Sequence, residues 1–211
     1  VLLVPGVEVP MFIQFIFGRA GDPAALREAF ARWEADLAPG AAGWLGSTAG
    51  IAADGTFAAT AMFESVEAAR RNGDRPEQGE WWARTAGAFA GEPTFLDSAA
   101  AGTLGAGATG EAGFVQVIRG SSTDPARAYE LMAGSESLMR EFRPDVLGSV
   151  YGYTADGATV DLIFFSSEAE ARANEHREPP AEARELMAQM EGLSKVDQFI
   201  DLTDPWHLSP R

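Results

Sequence analysis

The chain has no cysteine, which removes disulfides, thiolate metal sites and a cysteine nucleophile together. Histidine is nearly as scarce. There are two, His176 in NEHREPP and His207 in PWHLSP, and neither has a second ligand three or four residues further on, as a zinc-binding helix requires. No metal site is expected. Basic residues number 16 against 31 acidic ones, a formal charge of −15. With no run of Lys or Arg to reverse that field locally, phosphate backbones and anionic membrane surfaces are poor partners. No segment supplies the roughly 20 apolar residues of a membrane span. A phosphate loop is missing too, because GTLGAGATG (102–110) follows no strand pattern and lacks the lysine that would give its glycines a use.

Hydrophobic residues make up 46% of the 211, enough to bury one large core or two small ones. The composition fits a soluble, globular, cytoplasmic chain. The opening VLLVPGVEVP has no basic flank, and two prolines and a glycine interrupt it. It therefore reads poorly as a signal peptide. Met11 opens a clean strand pattern, so residues 1–10 are expected to be an extension.

The chain repeats itself. FIQFIFG from Phe12 and FVQVIRG from Phe114 share Phe, Gln, Ile and Gly at an offset of 102, and the offset holds without a gap for some sixty positions. Asp22-Pro23 meets Asp124-Pro125, Leu45-Gly46-Ser47 meets Leu147-Gly148-Ser149, Asp54-Gly55 meets Asp156-Gly157, and Asn72 and Arg75 meet Asn174 and Arg177. Two inserted residues then shift the offset to 104, where Trp82, Phe95 and Asp97 meet Leu186, Phe199 and Asp201. A tandem duplication is the reading. It gives a first unit over 11–98, a small-residue linker over 99–112, a second unit over 113–203 and a C-terminal tail over 204–211.

Each half reads β-α-β-β-α-β. Asp22 and Asp124 precede Pro at a first helical position. Leu26, Phe30, Trp33 and Leu37 form a stripe at helical spacing. Asp54-Gly55 and Asp156-Gly157 are tight-hairpin signals, and a second helix in each half is broken near Gly73–Pro76 or its equivalent. This order is the split βαβ, ferredoxin-like pattern. The first strand carries apolar residues at both parities, so both faces of each sheet are expected to be covered, most simply by the two sheets packing on each other.

At this level the sequence resembles the dimeric α/β-barrel superfamily that includes antibiotic-biosynthesis-type monooxygenases. The resemblance rests on element order, the FIQ/FVQ strands, and the helix entries at Phe63-Glu64-Ser65 and Phe165-Ser166-Ser167. It implies an α+β fold of two fused ferredoxin-like βαββαβ units forming an intramolecular pseudo-dimeric α/β barrel. The RPEQ-x-x-WW and DPW segments are also similar to those of a group of actinobacterial proteins without assigned activity. The superfamily spans cofactor-free oxygenases, haem enzymes, isomerases and binding proteins, so the fold does not name a reaction. Its usual ligand site is the cleft between a sheet and its helices.

Asn72 with Arg75, and Asn174 with Arg177, are candidates for the rim of two such clefts. An amide donates and accepts, and a guanidinium presents a planar fork to a carboxylate or enolate oxygen. A structural role explains the same pairs: Asn suits a helix C-cap, and Arg bonds the last carbonyls. Trp82 falls in line with Ala86 and Phe89 and reads as core. Trp81, opposite Glu185 in the repeat, reads as a partly exposed aromatic covering a cleft or touching the other half or a second chain, which leaves a homodimer open. Gln14 and Gln116 interrupt apolar strands and must find partners, in the backbone, in each other or in a ligand. His176 is a surface residue or an acid–base group of the second half. His207 could ligate haem, but Gln14 and Gln116 stand where a haem-degrading relative is expected to carry Asn, so haem is a minor alternative and no cofactor is called for.

One asymmetry separates the halves. Phe30 becomes Met132 and Trp33 becomes Ser135, so the second half either repacks with Leu131, Leu138 and Phe142 or keeps a cavity, in the half that also holds Tyr151 and Tyr153. Two functions follow. One is small-molecule binding, with cofactor-independent oxidation or isomerisation of an aromatic or polyketide-like compound. The other is a non-catalytic structural or self-association module.

Overall fold

A computed structural model describes residues 11–210; the expectation for residues 1–10 lies outside them. The described chain forms two five-stranded antiparallel sheets with helices, an α+β fold of two fused ferredoxin-like units.

In the first unit, strand β1 (Phe12–Arg19) leads to helix α1 (Pro23–Arg32), the hairpin of β2 (Trp44–Ile51) and β3 (Thr56–Phe63), helices α2 (Val66–Gly73) and α3 (Pro76–Ala86), and β4 (Thr94–Asp97). Asp22 caps α1 by accepting from the Ala25 N–H at 3.0 Å, with Pro23 setting the first helical φ. Ser65 does the same for α2 through Ala68 at 3.2 Å. Gly55 closes the hairpin at φ +87, a value that only glycine adopts without strain, while Asp54 accepts from the Thr56 N–H. The stripe of Leu26, Phe30, Trp33 and Leu37 is buried as expected, although the helix widens into a π turn over Trp33–Leu37 before Pro39 and Gly40 end it.

The second unit repeats this order with β6 (Phe114–Ser122), α4 (Pro125–Ala133), α5 (Glu136–Phe142), β7 (Val146–Tyr153), β8 (Ala158–Phe165), α6 (Glu168–Asn174), α7 (Ala181–Leu193) and β9 (Ser194–Leu202). The likeness reaches the pairing. Phe12 faces Phe63 and Phe114 faces Phe165, and each hairpin shifts register at one place, after Trp44 and after Val146. Asp124 and Ser167 cap their helices as their first-unit counterparts do.

Two segments depart from expectation. The stretch read as a linker contains β5 (Ala100–Gly105), which pairs along all of its length with β7. The stretch read as a tail contains β10 (Trp206–Leu208), paired with β2. The sheet orders are therefore β10-β2-β3-β1-β4 and β5-β7-β8-β6-β9. Ala and Gly, four of the six residues of β5, have little strand propensity of their own. What makes β5 a strand is the free edge of β7, beside Tyr151: a side chain at Gly102 would strike the Tyr151 hydroxyl.

Beta-strand parity sorts each sheet. Phe12 and Ile16 of β1 join the cluster built on α1 and α3, while Ile13, Phe15 and Phe17 on the opposite face are also buried. Both parities are shielded, as the apolar first strand implied. Among the described residues no helix is long and apolar enough to cross a membrane.

Candidate functional site

The space between sheet and helices is filled in the first unit and hollow in the second. In the first, Phe30, Trp33, Trp44 and Trp81 pack together under α1 and α3, with ring centroids 4.8 Å apart for Trp33 and Trp44 and 5.6 Å for Phe30 and Trp81. Each indole N–H is satisfied: Trp33 donates to Gln78 Oε1, Trp44 to Ser47 Oγ and Trp81 to the Ala29 carbonyl. A groove of about 330 Å³ between α1 and α3 is lined by Ala29, Leu37, Trp81 and Thr85 among others.

At the shared offset these residues become Met132, Ser135 and Val146, and Trp81 becomes Glu185 at the later one. The second unit keeps a cavity of about 360 Å³, more than twice the roughly 150 Å³ that accepts one benzene ring. Gln116, Ile118, Ile163 and Phe165 floor it from the sheet, while Met132 and Met139 close it from the helices. The expected repacking by Leu131, Leu138 and Phe142 does not close the space, since none of the three lines it.

An ionisable group interrupts the floor. Asp161 on β8 stands opposite Tyr151 on β7 and Ile118 on β6. Its Oδ1 is shut off from solvent and has no hydrogen-bond partner, and its remaining surface borders the cavity. Burial pushes its carboxyl up to about 7, because an ion in an apolar setting loses its hydration. The equivalent first-unit residue is Ala59. Sequence reasoning missed Asp161, although a lone carboxylate among DLIFF in a strand with both faces covered was the available signal. Tyr151 is pushed up to about 12 by burial first, with Tyr129, Asp161 and Glu136 adding to it; burial also raises Tyr153. Both phenols stay neutral. With Tyr129 they form a ring cluster, centroids 5.8 to 6.4 Å apart, beside the cavity wall at Met132.

Two of the cavity's arginines are already engaged. Arg143 clamps Asp145 through Nε and Nη2 at 2.9 and 2.7 Å and lies over the Phe165 ring. Arg172 pairs with Asp201, Glu168 and Glu175 and lies over Phe114. Gln116 donates to the same Asp201 at 3.0 Å, so its amide helps hold that carboxylate against Arg172.

The residues singled out from sequence are brought together only in part. Gln14 bonds Asp97 at 2.8 Å, and Gln116 bonds Asp201. Each finds a carboxylate on the adjoining strand, because register places the two side by side. Gln116 also lines the cavity. Arg75 donates to Asn72 Oδ1 at 2.8 Å and to the Leu37 carbonyl at 3.1 Å, and it pairs with Glu77; Asn72 is buried. These contacts differ from the expected C-cap: Asn72 lies within α2, whose C-cap is Asp74, and Arg75 ties the end of the first helix to α2. The counterpart is looser: Asn174 bonds the Glu170 carbonyl, Arg177 reaches Asn174 only at 3.5 Å, and neither lines the cavity. His176 is exposed, 87% at its side chain, beside Glu175. His207 sits on β10 opposite Thr48. Among the described residues no three His, Asp or Glu side chains group as metal ligands.

The two tryptophans exchange the places expected of them. Trp81 is 8% exposed and belongs to the core, whereas Trp82 packs partly exposed against Phe89 and Phe95. The reason is helix length. α3 ends at Ala86, so Phe89 is not on its stripe, and the inward line runs through Trp81 and Thr85.

No protein-family model matches the chain, and no curated protein matches its sequence. Solved structures do. A "putative monooxygenase" from Lactobacillus acidophilus NCFM is similar over 96% of this chain and 100% of its own, with a TM-score of 0.66 at 11% identity. Another protein of that description, from Fusobacterium nucleatum subsp. nucleatum, is similar over 96% and 94%, with a TM-score of 0.69 at 8% identity. An anthrone oxidase-like protein gives 0.64 at 12% identity over 96% and 95%. The chain shares the fold of monooxygenase-like proteins. Identities this low speak to fold alone.

Proposed function

We propose that this protein binds a small molecule in the cavity of its second unit, and that the first unit is the filled scaffold of a duplicated pair. The observation that carries the reading is the unpartnered Asp161 oxygen bordering an apolar space of about 360 Å³. Such a space suits an apolar compound of two or three rings, and buried acceptors of this kind are ordinarily matched by a donor. Asp161 meets the ligand's polar end, and Ile118, Ile163 and Phe165 meet its rings.

The catalytic form of this reading is cofactor-independent oxidation or isomerisation of an aromatic or polyketide-like compound in the cytoplasm. A carboxyl titrating near neutrality is suited to take a proton there, and the dry walls strengthen its interaction with the charge that develops. The fold shared with monooxygenase-like proteins supports this form without specifying it. Equilibrium binding of fused-ring probes tests the proposal. Wild-type protein and the first-unit variant Trp82→Ala should bind alike, and Met132→Phe with Val146→Trp, which restore first-unit bulk, should weaken binding at least about tenfold. Equal binding to the filled variant rejects the cavity as the site.

A further inference from the structure

The charge around Asp161 points to the ligand's own charge. The groups around it are Tyr151 and Tyr153 from β7, whose rings meet Tyr129 of α4, and, lining the same cavity, Glu136 and Arg140 from α5 with Arg143, Arg172 and Glu175. The tyrosines are neutral. Arg143 is satisfied by the bidentate Asp145, and Arg172 by three carboxylates of its own. Arg140 lies exposed at the rim, in the same helix as Glu136. Burial alone accounts for the raised Asp161 carboxyl; no guanidinium comes near enough to lower it. The site therefore holds a buried acid with no cation paired to it, in a cavity whose other charged lining residues are Glu136, Glu175, the exposed Arg140 and the already paired Arg143 and Arg172, in a chain of formal charge −15. Such a field concentrates cations and repels anions.

We propose that the ligand carries a protonated amine on its apolar ring body, the ammonium pairing with Asp161 while the rings rest on Ile118, Ile163 and Phe165. The inference rests on the cavity reading above and narrows it. A neutral hydroxyl could satisfy Oδ1, but only a cation both satisfies it and supplies the charge that the wall withholds. Binding then favours the ionised carboxylate, so affinity rises as pH climbs toward 7 and levels off above it.

Calorimetric titration of the full chain with naphthylmethylamine, naphthylmethanol and naphthoate, similar in bulk and different in charge, decides the matter. At about pH 8 the amine should bind at least about tenfold more tightly than the alcohol, with naphthoate weakest, and Asp161→Asn should erase the difference. On wild-type protein, amine affinity should fall toward about tenfold per pH unit below 7 while the alcohol's changes little. This second readout needs no variant. Alcohol binding equal to or tighter than amine binding, or an amine preference that survives in Asp161→Asn, overturns the ammonium and leaves the cavity standing. No binding by any of the three overturns both.

Discussion

The two units share caps, hairpins and strand register, yet one buries four aromatic side chains where the other keeps a hollow with a carboxylate at its floor. Backbone geometry is thus the part that the halves hold in common, and side-chain volume is the part in which they diverge. Losing Phe30, Trp33 and Trp44 at their second-unit equivalents removes bulk that the surrounding structure does not reclaim, because a close-packed sheet and helix layer relaxes only partly into a void. Gaining Asp161 where the first unit has Ala59 then makes the void chemically particular. The difference teaches that two copies of one fold can share a backbone while one is filled and the other is left hollow.

The sharpest way to test that division is to weaken the filled half. Trp33→Ala should cost about 3–5 kcal/mol in chemical denaturation, against about 1 kcal/mol for Ser135→Ala, which loses one hydroxyl bond to the Met132 carbonyl. Similar costs at the two positions would mean that the second unit is packed as tightly as the first.

Next in size is the pH dependence owed to Asp161. Its carboxyl is raised in the folded protein from 3.8 to about 7, so the folded state holds a proton that the unfolded chain releases. Its contribution is therefore most favourable below pH 4 and is lost as pH rises to 7, about 4 kcal/mol in all. Asp161→Asn should flatten this slope in urea melts across that range. It should also be about 1–3 kcal/mol more stable than wild type at about pH 8, the buried amide still lacking part of its bonding. A slope unchanged in the variant would assign the pH dependence elsewhere.

Smaller again, Arg75→Ala should cost about 1–2 kcal/mol by losing its bonds to Leu37 and Asn72, whereas Arg177→Ala should stay within about 0.5 kcal/mol. Smallest of all, Phe95→Ala should cost about 1 kcal/mol because its ring packs on Trp82 at 5.0 Å. Phe199→Ala, at 58% exposure, should be close to neutral. Equal effects within either pair would erase the asymmetry at that position.

Element order, the helix caps and the hairpin glycines were legible because each depends on neighbours a few residues away. So was the loss of volume from Phe30 to Met132 and from Trp33 to Ser135, once the repeat aligned the halves. The cavity was only half legible: whether small residues collapse or leave space depends on every wall, and the third substitution, Trp44 to Val146, matters only when β2 and β7 are seen against their helices. Trp81 and Trp82 were reversed because the true end of α3 decides which of two adjacent residues points inward. The strands in the linker and tail carry no local signal at all, since an open sheet edge far away in sequence is what recruits them.

That last feature bears on how the molecule is made. The second unit is continuous in the chain, but the first borrows β10 from beyond Asp204. A ribosome delivers residues 11–97 well before Trp206–Leu208, so β2 leaves synthesis with one flank bare until that later segment emerges. The half that is encoded first is thus the half that is completed last.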